Sequence, residues 1–221
     1  MKNVAVITAN LGNFDPPAAH ILNRSADVEY FRFDDNNLAP RKNSMSPRLQ
    51  AHIPKCFGWS LCPGFDYYIW VDASCAFRHP DSIRWFLSKC EGHDIALFAH
   101  PNRHSIVEEA EFMRAQIAVG NKYLTSRYAG EDIDGQLAEI NSDPGYKDDT
   151  LYAATAFIYR NLSVVRAMLK EWWYYSSRYH VNDQLSLPYV VWKSGCRVNV
   201  IAENYLKIPY LTYIRNQSRS Q

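Results

Sequence analysis

Asp72, Ala73 and Ser74 close the segment YYIWVDAS, whose residues from Tyr67 to Val71 carry no charge. Side chains at i and i+2 of a strand share a face. Where such a strand ends, the carboxylate of Asp72 and the hydroxyl of Ser74 can therefore meet one ligand. Hard oxygen donors suit Mg²⁺ or Mn²⁺, ions that bridge diphosphate oxygens and neutralise a departing nucleotide. The same oxygens suit a ribose, and the plainer alternative is an Asp that caps the next turn. A second group lies in HVNDQLSLPYVVW, residues 180–192. Asp183 there can serve as a base or hold an acceptor, with Gln184 beside it and His180 as a late metal ligand. Asn182 or Asp183 acting as a helix N-cap is the alternative.

Three further sets are candidates. Arg48 and Lys55 stand seven residues apart, two helical turns, in SPRLQAHIPKCF. On one helix face both would meet phosphates, but Pro54 interrupts the pattern, and a solvated basic face is the commoner outcome. Thr8, Asn10 and the small polar loop through Asp15 follow the first apolar run and can receive a base or ribose. The alternative is an ordinary turn in which Asp15 caps PPAAHIL. His100 and His104 in HPNRH are at i and i+4, but Pro101 and the cap-like Ser105 place them across a loop. A ligand or acceptor contact remains open for His100, with Arg103 as an anion contact. Asp149 is taken with Arg103 on the acceptor side.

The elements that must position these residues follow from the apolar pattern. VAVITA (4–9), YYIWVDA (67–73), DIALFAH (94–100) and AATAFIYR (153–160) are continuous apolar runs, as in strands covered on both faces. VEYFRF (28–33) and RVNVIA (197–202) are weaker strand candidates. Helices are predicted at PDSIRWFLSKCEG with Gly92 as a stop, at SIVEEAEFMRAQIAV behind a Ser105–Glu108 capping box, and at LSVVRAMLKEWWYYSS. The stretch 120–150 predicts a partly helical excursion ending in a mobile loop. Strands alternating with helices give an open α/β sheet, which binds ligands outside the carboxyl ends of its strands. Asn10, Asp72 and His100 all stand at such ends. One domain is expected over residues 1–215, with a disordered tail at 216–221.

Composition narrows the function. The 221 residues carry a net charge of +1 with no basic stripe, which disfavours a nucleic-acid partner. Five cysteines without a CxxC pair argue against a zinc ribbon or disulfide framework, and point to a reducing, cytoplasmic setting. No transmembrane segment or signal peptide is apparent. Walker, GxGxxG, GxSxG and HExxH motifs are absent, which removes the main support for phosphate-loop, dinucleotide, serine-hydrolase and zincin chemistry.

Taken in order, VITANLGNFD, YYIWVDAS, DIALFAHPNRHSIVEEAEF, LYAATAFIYRN and EWWYYSSRYHVNDQLSLPYVVWKSG resemble the DUF616, or TOD1/MUCI70 glycosyltransferase-like, family over nearly the whole chain. The resemblance implies a single-domain GT-A fold, a Rossmann-like mixed sheet flanked by helices. It also implies a nucleotide-sugar donor, a glycan or other hydroxyl acceptor, and weakly bound Mn²⁺ or Mg²⁺. Asp72 then stands where such enzymes place their DxD, with Ser74 replacing the second carboxylate and His180 completing the metal set. Donor contacts fall on Thr8, Asn10, Arg48, Lys55 and Asp72–Ser74. His100, Arg103, Asp183 and Gln184 become cleft residues, with Asp183, Gln184 and His100 expected as the catalytic set and Arg103 and Asp149 as acceptor contacts. Ala153 stands where many relatives carry glutamate, which bears on the acceptor side. Two other readings stay open: a ceramidase-like metal-dependent hydrolase using His100, His104 and His180, and a sugar-binding protein without catalysis.

Overall fold

The computed structural model describes residues 2–12, 15, 27–38 and 45–214. The PPAAHIL segment and the tail lie outside them. Eight strands are present among the described residues: β1 (Val4–Asn10), β2 (Val28–Asp34), β3 (Tyr67–Val71), β4 (Cys75–Phe77), β5 (Ile95–Ala99), β6 (Tyr152–Arg160), β7 (Val198–Ile201) and β8 (Leu211–Tyr213). Six form one mixed sheet in the order β2-β1-β3-β6-β5-β7, while β4 and β8 pair as a small antiparallel ribbon. Only β6 runs against its neighbours in the large sheet. The carboxyl ends of β1 and β3 and the amino end of β6 therefore share one edge.

The continuous apolar runs have the cause expected of them. Ala5, Ile7 and Ala9 of β1 bury against one layer, with Tyr68 and Trp70 of β3. Val4 and Val6 bury against the other, with Ile69 and Val71. With both faces covered, these strands are apolar until their carboxyl ends, where Thr8 and Asn10 close β1. The first layer holds α1 (Pro47–Leu61), α3 (Ile106–Ala118), α6 (Ser163–Arg178) and α7 (Leu187–Ser194), centred on the fully buried Trp172. The second layer holds α2 (Ser82–Lys89) and the β4–β8 ribbon, through Phe77, Ile83, Phe86 and Leu211.

The six predicted strands all form, with ends within a residue or two. The polar stretch 120–150 holds two helices, α4 (Lys122–Tyr128) and α5 (Ile133–Asn141). Ser105 caps α3 by accepting from the Glu108 N–H, but the Glu108 carboxylate reaches His104 N, one residue short of the reciprocal bond. Pro54 does not end α1. The helix runs through it, and the backbone leaves helical geometry only at Phe57 (φ −118°, ψ 18°). Gly92 (φ +73°) reverses the chain just after α2. β4 and β8, three residues each, carry no alternation long enough to predict.

Candidate active site

A cavity of about 660 Å³ opens at the sheet edge just described. Its floor is Ala9 and Asn10 from β1, Trp70, Asp72, Ala73 and Ser74 at the end of β3, and Ala154 and Thr155 from β6. Asp72 ends β3 because its N–H still pairs with Thr155 O (2.8 Å) while its own carbonyl accepts from Cys75 N (2.8 Å), turning the chain into β4. Asn10 fixes the first loop by exchanging two hydrogen bonds with the Asp15 backbone (2.8 and 3.1 Å). Helix α1 supplies Arg48 and Lys55 to the same cavity, so their two-turn spacing holds despite Pro54. Asp183 and Gln184 arrive from a short 3-10 turn (Asp183–Leu185) before α7. Asn182 is its cap, accepting from Gln184 N at 2.9 Å, which leaves the Asp183 side chain to the cavity.

The centre of the site is an ammonium between two carboxylates. Lys55 Nζ donates to Asp183 Oδ2 at 2.6 Å and lies 3.5 Å from Asp72 Oδ1. Its flanks are indoles, with Trp70 and Trp172 ring centres 5.4 and 5.5 Å from Nζ. Asp72 Oδ1 also accepts from Trp70 Nε1 at 2.7 Å. Lys55 is buried, and burial by itself would lower its pKa. Asp183 and Asp72 outweigh that effect and hold it above the ordinary lysine value. The Asp72 side chain keeps 35% of its exposure and lines the cavity. The surrounding walls still desolvate it and raise its pKa, against the pull of Lys55. Arg48 stacks on Tyr128 at 4.7 Å, and its buried Nη1 has no partner among the described residues.

His52 belongs to the site although no motif pointed to it. It lies one helical turn after Arg48 and just short of one before Lys55, so the three share a stripe of α1. Its Nε2 is 3.4 Å from Asp183 Oδ1. Burial lowers its pKa to about 4; Asp183 opposes this, and Lys55 and Arg48 add to it. The signal was present as the positions 48, 52 and 55, at i, i+4 and i+7. Tyr123, Arg127 and Tyr128 from α4, and Tyr205 and Tyr213 near the chain's end, complete the walls.

A model of the TOD1/MUCI70 glycosyltransferase-like domain matches residues 41–211, well over half of the sequence. The chain belongs to this family. No curated protein matches it significantly. Among solved structures it is similar to a glycosyltransferase involved in glycosylation of the major capsid of PBCV-1, at 7% identity and a TM-score of 0.51, covering 99% of this chain and 95% of that one. It is similar too to 4-diphosphocytidyl-2C-methyl-D-erythritol synthase from Anaerococcus prevotii, at 12% identity and a TM-score of 0.51, covering 99% and 94%. At such identities the likeness is one of fold, and the fold is GT-A-like.

Five predicted residues do not line the cavity. Thr8 stands two residues before Asn10, and its buried hydroxyl has no partner among the described residues. His100 forms a turn instead, its Nδ1 accepting from Arg103 N at 3.0 Å. Arg103 pairs with the buried Glu109, whose other oxygen accepts from Asn182 Nδ2 at 3.2 Å. Asp149 is exposed, whereas its neighbour Asp148 accepts from Ile106 N and Val107 N (2.7 and 2.9 Å) and so caps α3. His180 is fully buried, stacked on Tyr128, and accepts at Nδ1 from Asn182 N (2.9 Å). Nδ1 also lies 3.3 Å from the Glu131 carboxylate, and the buried Nε2 has no partner among the described residues. Among the described residues no three His, Cys, Asp or Glu side chains are placed to share a metal ion. The His100, His104 and His180 set of the hydrolase reading is not assembled.

The expected divalent ion fits the site in part. Asp72 and Ser74 both face the cavity, and Asp72 Oδ2 has no hydrogen bond within the described protein, whereas His180 is withdrawn and Asp183 is engaged by Lys55. One carboxylate and one hydroxyl make an adequate seat for Mg²⁺ or Mn²⁺ when substrate phosphates supply the remaining oxygens. Among the described residues, no helix is long and apolar enough to cross a membrane.

Proposed function

We propose that this protein is a glycosyltransferase that takes a nucleoside diphosphate sugar into the cavity at the ends of β1 and β3 and transfers the sugar to a hydroxyl acceptor. The observation that carries this reading is the Asp72–Lys55–Asp183 cluster on the cavity floor, with Arg48 beside it. It puts an oxygen seat, a potential base and cationic donors within one cavity. The volume suits a ligand of nucleotide-sugar size. The family supports the class of reaction.

In this reading the base and ribose lie against Asn10 and the aromatic wall formed by Tyr128 and its neighbours, where ring faces pack on flat rings and on sugar C–H groups. Arg48 binds the diphosphate through its unpartnered nitrogen. Asp72 and Ser74 would hold the divalent cation, whose chemistry is to neutralise charge on the departing diphosphate. Lys55 fixes both carboxylates in place. Asp183 takes the proton of the acceptor hydroxyl. The acceptor oxygen bonds to the anomeric carbon, the bond from that carbon to the phosphate oxygen breaks, and its electron pair leaves with the nucleoside diphosphate. Gln184 offers an amide to the sugar or acceptor beside that carbon. A sugar-binding protein without catalysis would need no potential base beside the oxygen seat, so the transferase reading is preferred.

The test is release of nucleoside diphosphate from a panel of nucleotide sugars by the purified protein with Mn²⁺, with and without simple glycan acceptors. Acceptor-stimulated release from one donor supports the assignment. A protein that binds a nucleotide sugar but never consumes it would be the binding module instead.

A further inference from the structure

Helix α6 carries a ridge of cations on its outer side. Arg166, Lys170, Tyr174 and Arg178 stand four residues apart, so they follow one another along the helix surface over about 18 Å. Lys170, Tyr174 and Arg178 are exposed, and Arg166 is half-buried. Like charges at i and i+4 repel. Here the first pair shares one indole: the Arg166 guanidinium and the Lys170 ammonium lie 5.4 and 5.5 Å from the Trp59 ring of α1. Arg178 rests against the Tyr174 and Tyr179 rings, at 5.6 and 5.2 Å.

No carboxylate of the two helices neutralises this ridge. α1 has none, and the single one of α6, Glu171, pairs with Lys193. Glu139 of α5 is close enough to act on Arg178, but its two oxygens accept from the Tyr175 and Tyr179 hydroxyls. Spaced by four, the cations make no basic run in the sequence; the helix gathers them. Rings stand among them. Trp59 and Trp173 are half-buried, with Phe57 packed on Trp173 at 5.8 Å, and Tyr174 is 44% exposed.

Cations set among indole and phenol rings match the boundary of an anionic bilayer. There basic side chains meet lipid phosphates, and amphipathic rings sit at headgroup level. A nucleic-acid duplex fits less well, because a surface that tracks one contacts about six to ten phosphates. This ridge offers three cations, on a chain of net charge +1. We propose that the α6 ridge docks the protein reversibly onto an anionic phospholipid surface. Docking of this kind does not depend on the transferase reading. α6 leads through His180 into the turn that presents Asp183, so a membrane along the ridge would lie beside the cavity.

The experiment is co-sedimentation of the full chain with vesicles of phosphatidylcholine, alone or with about one-third phosphatidylserine, at low and high salt. The protein should bind the anionic vesicles and not the neutral ones, and high salt should weaken binding by screening. Each cation close to an anionic leaflet contributes about fivefold, so the triple variant Arg166→Gln, Lys170→Gln, Arg178→Gln should bind at least about tenfold more weakly. A second triple, Lys122→Gln, Lys147→Gln, Lys207→Gln, removes the same charge from exposed positions elsewhere and should bind like wild type. Thermal melts separate lost docking from lost folding. Should the ridge triple melt early, the exposed pair Lys170→Gln with Arg178→Gln repeats the test. Equal loss in the two triples would overturn the proposal, since bulk charge would then explain the binding. Equal binding to neutral vesicles, or no binding to anionic ones at low salt, would overturn it too. Tighter binding to heparin or duplex DNA than to vesicles, lost in the ridge triple, would assign the ridge to a polyanion instead.

Discussion

His52 Nε2 lies 3.4 Å from Asp183 Oδ1, yet burial holds the imidazole neutral, with a pKa of about 4 against an ordinary 6.5. A histidine depressed in the folded state is protonated more readily when unfolded. Its contribution to stability is therefore complete above pH 6.5, falls as the pH drops, and is lost below about 4. The size of the depression caps the loss at about 3 kcal/mol. Denaturant unfolding followed across that window should show stability falling with acid, and His52→Gln should flatten the slope. His180, pushed down to about 3 by its burial and by Arg48, adds to the slope in both proteins. An unchanged slope in His52→Gln would mean that the imidazole is not buried as a neutral group.

Asp72 and Asp183 share one lysine but should fail differently when neutralised. Asp183→Asn removes the proposed base while leaving the Asp72 oxygens in place. Turnover should fall by about 10²- to 10⁴-fold, the usual worth of a positioned base, with nucleotide affinity little changed. Asp72→Asn removes the seat at the diphosphate, so nucleotide affinity in Mn²⁺ should weaken along with turnover. Separate measurement of kcat and nucleotide Kd checks this. Wild-type turnover in both variants would end the assignment.

The fold was legible wherever a segment was buried on both sides or carried a cap. VAVITA and AATAFIYR announce themselves because a central strand has no solvent face on which to place charge. The candidate cavity was legible where a strand end and a helix stripe meet: Asp72 and Ser74 line it with Arg48 and Lys55, and with Asp183 and Gln184 from a distant turn. What sequence could not supply was pairing across long separations. Lys55 and Asp183 are 128 residues apart, and nothing local says that one will neutralise the other. His100, Arg103 and His180 looked like site residues because their types do chemistry. In the fold their hydrogen bonds are spent on a turn, a buried carboxylate and the backbone before the 3-10 turn.

Asp148 and Asp149 are adjacent and chemically identical, but Asp148 ties the loop to a helix while the Asp149 carboxylate accepts from the neighbouring Thr150 hydroxyl (3.1 Å). Asp148 accepts from two N–H groups in the first turn of α3, so Asp148→Ala should cost about 1–2 kcal/mol and lower Tm by several degrees. Asp149→Ala, on an exposed side chain, should leave Tm within about a degree. Paired thermal melts decide the first point. An acceptor KM that rises in Asp149→Ala without a stability change would place acceptor binding on this loop after all.

Arg103 separates a structural role from an acceptor role most sharply. Its guanidinium pairs with Glu109, whose side chain is only 5% exposed, and packs over Phe112 at 4.0 Å. Glu109 in turn holds Asn182, the cap of the turn that presents Asp183. Arg103→Met keeps much of the apolar stem but leaves a buried carboxylate without its partner. Because Arg103 itself is partly open to solvent, the expected cost is at the low end for a broken buried pair, about 3 kcal/mol, or roughly 10 °C in Tm. The double variant Arg103→Met with Glu109→Gln removes the stranded charge and should recover part of that loss. If Arg103 acts only through this chain of contacts, turnover should recover with the double variant as Asp183 returns to register. Stability that recovers while acceptor KM stays raised would show that the guanidinium itself touches the acceptor.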